Sequence, residues 1–455
     1  MRLPNQDDSS NATHIGESSM VQEDHKEFDL EYEAIQNRIL GLLHIYTRVS
    51  KSFLERSCNS LLMRYVVRAV YYTMQNDEPN RIIWIDKCLY EFRMQLPNPT
   101  LPNLMASVVL SLCYFWIGLY KVGLPYFSYV VRLAKEVGIN RESGIALLTS
   151  DPQEREDCRN IWWLLYRIDQ FLWSFNKGNI SNEDNGIYLP GTSIYQNSQD
   201  DLRSLGMEMM HSSSTFVPHI PAQSVAVHKV LLYRLFGQAV HYSDKSREDQ
   251  SIDTLFMLYN LKDSLYLWYS NLPEPFTMQY KLLGKDDPVD DLVTWQILDS
   301  YLQYHFAMIR IKSAIIFPNI LEDYNAATQE SIFPSLLLDC KEIARIMSFY
   351  ILKNPALDKA TIYFINYVYY ATVPLILSRS AGSLELLEIL LDHIKVLMRK
   401  FRVGNPICKL INGYLSLNDP ALILERHAAY MFIDYLYDNS DQNDQHMMEY
   451  LDDTV

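Results

Sequence analysis

The acidic run from Asp286 to Asp290 is the part of the sequence whose spacing comes nearest to a metal site. Asp286, Asp287 and Asp290 form the pattern D-D-x-x-D. On a helix, carboxylates at positions i and i+4 lie on one face, where their oxygens can share magnesium ions. Pro288 lies inside this run, however, and favours a loop or a helix start. We therefore interpret the acidic residues as the N-terminal cap of a helix that runs from Leu292.

The same pattern is typical of all-α prenyl-transferring and terpene-cyclising enzymes, which use it to hold magnesium and a diphosphate. Those enzymes need a second acidic motif of the kind N-D-x-x-S-x-x-x-E. The nearest candidates here, Asn418-Asp419 and Asn443-Asp444, lack the hydroxyl and the Glu at the required offsets. An isoprenoid or terpene synthase-like enzyme that uses Asp286–Asp290 is therefore kept as an alternative. The first prediction is that the chain is not an enzyme.

No other motif supplies a catalytic constellation. The patterns G-x-S-x-G, G-x-x-x-x-G-K-[ST], G-x-G-x-x-G and H-E-x-x-H do not occur in the sequence. We expect His305, which stands between Tyr304 and Phe306, to be a core or interface histidine rather than a ligand. The six cysteines are far apart, whereas a zinc site needs at least one close pair. We therefore predict no metal site, no cofactor, and reduced, mostly buried thiols.

The charge of the chain restricts its partners. The sequence carries 55 acidic and 40 basic residues, which gives a formal net charge of −15. Such a surface repels phosphate unless a local basic patch overrides the mean, and the sequence contains no evident patch. We therefore predict that this chain alone does not bind DNA or RNA.

The elements that position these residues are predicted to be helices. Leu258, Leu261, Leu265 and Trp268 follow one another in steps of three or four, which places them on one face of a helix. Strict alternation of apolar and polar residues between turns is missing, and the chain has only 15 Gly and 19 Pro. The predicted fold class is all-α, a large multi-helix domain.

Composition divides the chain into a domain and three other segments. Residues 1–27 are polar and acidic and are expected to form a disordered leader. Residues 28–437 are expected to form the helical domain. Inside it, residues 191–222 are rich in Ser, Gln and Pro and lack a helical period, which predicts a long disordered loop. Residues 438–455 hold six acidic residues without Lys or Arg and are called the acidic tail.

Two uncharged stretches are long enough to be considered as membrane spans. They are residues 103–120 and 360–378. Neither has the Leu, Ile and Val density of a span, nor a basic flank on one side with aromatic residues at both ends. We therefore expect both to be buried core helices of a protein without a membrane segment.

Residues 101–190 contain the most informative pattern. A helix hairpin is predicted there, formed by residues 104–119 and 125–137, and Gly138 is positioned to end its second helix. Asp151 and Pro152 mark the start of the next helix, with Asp as N-cap and Pro at the first helical position. Trp162 and Trp163 point about 100° apart on that helix, so it is expected to pack on more than one side.

This segment resembles the signature of the fungal-specific transcription factor domain, the middle homology region of zinc binuclear-cluster regulators. The family reads approximately as A-I-R-M-A with L-G-L, then E-x-R-R-R-x-W-W, an Asp six residues on, a G-R-P turn and a closing L-P. The matching residues are Val130–Ala134 including Arg132, Val137–Ile139, Glu156, Arg159, Trp162, Trp163, Asp169, Gly178 and Leu189-Pro190. The later L-x-x-W-x-x-x-L-P element is similar to Leu265, Trp268, Leu272 and Pro273.

The match covers most of residues 35–430 and departs from the family at several positions. Cys158 and Asn160 stand where the family has Arg, and Asn179-Ile180 stand in place of R-P. The family's N-terminal zinc cluster, C-x2-C-x6-C repeated, has no counterpart in the first 57 residues. No zinc cofactor is therefore expected in this chain. DNA binding is expected to come from a zinc-cluster region encoded upstream or from a partner.

The resemblance implies a nuclear, non-enzymatic regulatory domain that controls transcription. It implies contacts with the transcription machinery or other regulators, and a small-molecule effector as a further partner. We expect Arg132, Glu156, Arg159 and Asp169 to form ion pairs that fix helix packing, because charges in a helical core must be paired. Direct contact of these residues with an effector is the alternative.

Two further questions stay open at this point. A cluster-less family member that forms heterodimers with intact regulators, and so titrates them, is an alternative function, and a homodimer is equally compatible with the sequence. The acidic tail contains Met447, Met448, Tyr450 and Leu451 among its acids. This composition fits an activation segment that folds on a coactivator, and it also fits an inert, solvated C-terminus.

Overall fold

The computed structural model describes the greater part of the chain. The described residues are 35–36, 39–40, 49–75, 77–95, 99–117, 119–173, 225–249, 251–272, 276–277, 292–320, 326–354, 363–378, 380–398 and 411–416. Within them the chain is helical and contains no strand, which confirms the predicted all-α class. The predicted leader, the predicted loop at 191–222 and the acidic tail lie outside the described residues.

Seven helices make up the N-terminal half of the described chain. They are α1 (Lys51–Ser57), α2 (Leu61–Gln75), α3 (Glu78–Gln95), α4 (Leu101–Trp116), α5 (Tyr120–Val137), α6 (Glu142–Leu148) and α7 (Pro152–Trp173).

Six further helices follow in the described part of the chain. They are α8 (Val225–Glu248), α9 (Ile252–Ser270), α10 (Leu292–Ile320), α11 (Ala326–Lys353), α12 (Tyr363–Ser378) and α13 (Ala381–Met398). The predicted start at Leu292 is therefore the first residue of α10.

The main helix–helix contacts fall into two groups joined by α7. In the first group α2 packs on α3 and α4, and α4 packs on α1 and α5. In the second group α10 is central, because it contacts α8, α9, α11 and α12. Helix α7 contacts α6 on one side and α8 on the other. The helix that carries the W-W signature is thus the joint between the two halves.

The helix ends follow from local chemistry. The side chains of Ser50, Thr100 and Ser251 each accept a hydrogen bond from a backbone N–H in the first turn of α1, α4 and α9. Helix α5 ends at Gly138, whose φ of 92° lies in the left-handed region that glycine adopts most readily. The predicted stop at Gly138 is confirmed.

The two uncharged stretches form buried helices. Every residue of α4 from Leu104 to Phe115 is buried, and so is every residue of α12 from Tyr363 to Ile376. Their apolar residues belong to the same hydrophobic core, which confirms the prediction. Among the helices that the structure describes, none combines the length and the apolar character needed to cross a bilayer.

The predicted apolar face of α9 is also confirmed, since Leu258, Leu261, Leu265 and Trp268 are buried. The hairpin boundaries differ from the prediction. Helix α4 ends at Trp116 and α5 begins at Tyr120, five residues before Pro125, which lies inside α5. Pro125 lies in the second turn of α5, where it removes one hydrogen bond and crowds the preceding turn, so it does not mark the start of this helix.

A close backbone contact fixes α6 against the end of α5. A Cβ atom added to Gly144 would lie 2.1 Å from the carbonyl oxygen of Gly138. Neither backbone can retreat easily, because Gly138 ends α5 and Gly144 lies in the middle of the short helix α6. Position 144 therefore requires glycine.

We predict that Gly144→Ala lowers the free energy of unfolding by about 1–3 kcal/mol, the usual cost of an unrelieved steric overlap. The matched control is Gly382→Ala in α13, because a Cβ there meets no heavy atom within 4 Å. Urea unfolding followed by circular dichroism measures both. Equal midpoints for the two variants would contradict the contact between α5 and α6.

Candidate functional site

Helix α7 begins as the sequence indicates. Pro152 is its first residue, and Asp151 Oδ1 accepts hydrogen bonds from the backbone N–H groups of Gln153 at 2.7 Å and Glu154 at 3.4 Å. The N-cap and the first-position proline are confirmed.

The first turns of α7 hold α1 in place. Asp157 is fully buried, and its two carboxylate oxygens accept from the backbone N–H and the hydroxyl of Ser50, each at 2.6 Å. Ser50 is also the N-cap of α1. The exposed side of the same contact carries an ion pair between Arg56 and Glu154 at 2.9 Å. The carboxylate of Asp157 therefore positions the residue that starts another helix.

Arg159 lies at the centre of a buried ion-pair cluster. Its Nε and Nη2 donate to the two oxygens of Glu142 at 2.8 and 3.0 Å, and its Nη1 donates to Glu156 at 2.9 Å. Burial alone lowers the pKa of a guanidinium, but here the hydrogen bonds and charges of Glu142 and Glu156 raise it above its usual value. Because Glu142 belongs to α6, the cluster ties α6 to α7 by a bidentate pair.

The two tryptophans pack on different sides of α7. Trp162 is fully buried, and Trp163 is buried with its ring edge-on to Tyr166 at a centroid distance of 5.4 Å. Residues 157–166 are all buried, so the helix is enclosed on more than one side, as predicted.

The second half of α7 contacts the C-terminal helices. Arg167 donates to Asp299 of α10 at 2.9 Å, and its guanidinium lies 5.3 Å from the ring of Tyr233 in α8. A Cβ added to Gly237 of α8 would lie 2.0 Å from Oε1 of Gln170, so α7 and α8 cross closely. Ion pairs at both ends of α7 thus reach opposite halves of the chain.

Of the four charged residues that the resemblance singles out, the structure brings Glu156 and Arg159 together and places Asp169 and Arg132 outside their cluster. Glu156 and Arg159 pair directly, and Asp169 is buried farther along the same helix. Arg132 lies outside this cluster: its side chain is 63% exposed and is 3.9 Å from Glu136 on its own helix, α5. Its guanidinium also lies 4.7 Å from the ring of Tyr129.

Sequence reasoning missed Glu142, Asp157, Arg167 and Asp299. One signal was available for two of them, because Arg167 and Asp299 are charged residues within long apolar stretches of α7 and α10. A charge in such a place needs a buried partner. The sequence carried no comparable signal for Glu142 or Asp157.

Helix α10 carries further buried charges. Arg310 pairs with Asp244 of α8, and Lys312 pairs with Asp339 of α11. His305 is buried, and its Nδ1 lies 2.9 Å from the other oxygen of Asp339. The prediction of a core histidine at 305 is confirmed.

The described residues contain no group of three or more His, Cys, Asp or Glu side chains that could hold a metal ion. Five cysteines of this part of the chain are free and buried, as predicted for the thiols. Burial raises the pKa of the Cys158 thiol to about 12, which keeps it protonated. The run Asp286–Asp290 of the enzyme alternative lies outside the described residues.

No protein-family model, no curated protein and no solved structure matches the chain. The residues of the signature and their positions on α7 are therefore the basis for the functional argument.

We predict that Arg159→Met lowers the free energy of unfolding by about 2–4 kcal/mol, because it leaves the partly buried carboxylates of Glu142 and Glu156 without their cation. The matched control is Arg132→Met, which removes an exposed arginine of the same signature and should change stability by less than about 0.5 kcal/mol. Urea unfolding of both variants measures the difference. Similar losses in the two variants would contradict the assigned role of Arg159.

Two buried histidines make stability depend on pH. Burial lowers the pKa of His228 and of His393 to about 4, from a usual value near 6.5. The rings therefore stay neutral in the folded chain while they become charged in the unfolded chain. The stability that the two neutral rings contribute is fully present above the pKa that histidine has in the unfolded chain. It is lost as pH falls from about 6.5 towards 4.

We predict that each histidine removes up to about 3 kcal/mol of stability between pH 7 and pH 4. The double variant His228→Leu, His393→Leu should lose less stability over this range than the wild type. Urea midpoints measured at several pH values check this. Parallel pH profiles for the two proteins would exclude these histidines as the cause.

Proposed function

We propose that the chain is the regulatory domain of a fungal transcription factor, without catalytic activity of its own. It acts in the nucleus through contacts with the transcription machinery or other regulators. A zinc-cluster region or a partner supplies the DNA binding, and a small molecule modulates the domain. The observation that carries the proposal is the position of α7. Its signature residues Arg159, Trp162 and Trp163 are buried, and Glu156 is partly buried, where the two halves of the chain meet.

A helix in this position suits regulation because it contacts both halves of the chain. Its N-terminal turns are tied to α1 and α6 by Asp157 and Arg159. Its C-terminal turns are tied to α10 by Arg167. A displacement of one half is therefore transmitted to the other through these partly buried hydrogen bonds.

Protein contacts need exposed apolar surface, and the helices provide it. On α9, Ile252 and Phe256 are 85% and 63% exposed and lie one turn apart. On α3, Tyr90 and Met94 are each 65% exposed, also one turn apart. Pairs of large apolar side chains exposed on one helix face are typical of protein-binding surfaces.

The charge of the chain supports the proposal that it does not bind DNA directly. The whole chain carries −15, and counterion release from DNA requires a cluster of Lys and Arg on the protein. A fusion to an unrelated DNA-binding domain is therefore needed to observe regulation by this chain.

We predict that such a fusion, directed to a reporter promoter in yeast, changes reporter expression several-fold relative to the DNA-binding domain alone. Arg159→Gln should abolish the change because it breaks the α6–α7 cluster, whereas Arg132→Gln should retain it. Immunoblotting establishes equal amounts of each fusion. Fluorescence microscopy of the chain fused to a fluorescent protein, without the DNA-binding domain, should locate it in the nucleus.

Two results would contradict the proposal. The first is reporter expression equal to that of the DNA-binding domain alone. The second is magnesium-dependent turnover of an allylic diphosphate by the purified chain, abolished by Asp286→Ala, which would establish the enzyme alternative. Light scattering of the chain mixed with an intact regulator distinguishes a heterodimerising partner from a domain that acts alone.

A further inference from the structure

Polar side chains from four helices meet where α7 joins the C-terminal half. We call this cluster the polar junction. It consists of Arg167 from α7, Lys229 and Tyr233 from α8, Asp299 and Gln303 from α10, and Tyr363 from α12.

Arg167 has more hydrogen-bonding capacity than the junction uses. Its side chain is only 12% exposed, yet in the described part of the chain it donates one hydrogen bond, from Nη2 to Asp299 Oδ2. A guanidinium has five N–H donors. Arg159, eight residues earlier and equally enclosed, donates three bonds to two carboxylates. Arg167 is therefore a partly buried cation with N–H donors that make no hydrogen bond within the described residues.

The same cluster contains acceptors with no donor. Asp299 Oδ2 accepts from Arg167 at 2.9 Å and from Gln303 Nε2 at 3.2 Å, and Lys229 Nζ lies 3.5 Å away. The other oxygen, Asp299 Oδ1, is buried and accepts no hydrogen bond within the described residues. Gln303 Oε1 is in the same situation. A buried polar atom without a partner costs about 1–3 kcal/mol.

Aromatic rings flank the guanidinium. Its central carbon lies 5.3 Å from the ring of Tyr233 and 5.8 Å from the ring of Tyr363. Burial raises the pKa of Tyr363 and also that of Tyr367, one turn later on α12. These phenols therefore stay uncharged and add apolar surface without adding a competing anion.

We propose that the polar junction binds a small molecule that carries a carboxylate and, next to it, a hydroxyl or ammonium group. The carboxylate accepts from the available N–H groups of Arg167, in the geometry that a guanidinium favours. The hydroxyl or ammonium group donates to Asp299 Oδ1 and Gln303 Oε1. The rest of the molecule packs on Tyr233 and Tyr363. One ligand thereby satisfies donors and acceptors that have no partner within the described residues.

Such a ligand would bridge α7 and α10, the two helices that organise the halves of the chain. The interpretation of this ligand as a regulatory effector rests on the proposed function, whereas the prediction that the junction binds it does not. The test is therefore a binding measurement on the purified full-length chain, separate from the reporter experiment.

Isothermal titration calorimetry with lactate, phenyllactate and phenylalanine tests the site, since all three carry a carboxylate beside a hydroxyl or ammonium group. Hydrocinnamate lacks the donor, and phenylalaninamide lacks the carboxylate. We expect at least one of the first three to bind and to raise the thermal midpoint in proportion to its concentration. Hydrocinnamate and phenylalaninamide should each bind about tenfold more weakly than that compound, or more weakly still, because each lacks one of its charged hydrogen bonds.

Two variants assign the binding to the junction. Arg167→Gln should weaken binding at least about tenfold by removing the charge that holds the carboxylate. Gln303→Met removes an acceptor at similar volume, so it keeps the test valid if Arg167→Gln fails to fold. Arg345→Gln in α11, where Arg345 pairs with Glu342 at 2.8 Å, is the control and should leave binding unchanged.

The inference is overturned if none of the three acids binds at millimolar concentration. It is equally overturned if hydrocinnamate and phenylalaninamide bind as well as the complete acids, or if Arg345→Gln weakens binding as much as the junction variants do. A positive binding result with an inactive reporter fusion would refute the proposed function while leaving the site intact.

Discussion

A buried charge must meet an opposite charge, and on α10 each such charge meets a different helix. Asp299 pairs with Arg167 of α7, Arg310 with Asp244 of α8, and Lys312 with Asp339 of α11. Hydrophobic packing alone tolerates sliding of one helix along another, but a buried ion pair does not, because any shift leaves a charge uncompensated. The arrangement of the C-terminal half therefore depends on these pairs, and they fix the register of three neighbouring helices at once.

Helix α7 extends the same constraint to the other half of the chain. Arg159 and Asp157 face α6 and α1, while Arg167 faces α10. The signature tryptophans lie between these two sets of contacts and fill the core on different sides of the helix. In physical terms the W-W block is a packing element, and the charged residues around it determine what it packs against. This division of roles explains why the signature combines large apolar and charged residues within a few turns.

Local features of the fold could be predicted from the sequence, and contacts between distant residues could not. The helix stop at Gly138, the helix start at Pro152 and the buried face of α9 depend on neighbouring residues, so spacing and residue type were sufficient. Ser50 and Asp157 are 107 residues apart, and Arg167 and Asp299 are 132 residues apart. Their pairing depends on how the helices pack, which no local pattern records. For the same reason, the sequence alone could not show that Arg132, although part of the signature, lies outside the ion-pair cluster around Arg159.

The separation of these contacts along the chain also orders them in time during synthesis. Once α7 has left the ribosome, Ser50, Glu142 and Glu156 have already been made, so the hydrogen bonds of Asp157 and Arg159 to these residues can form. Arg167 must remain hydrated until Asp299 appears 132 residues later. At about 5–20 residues per second this delay is on the order of ten seconds. Among the hydrogen bonds between the described residues, this one joins the most distant positions in the sequence. The C-terminal turns of α7 thus remain without this partner for a time in which a chaperone can bind them.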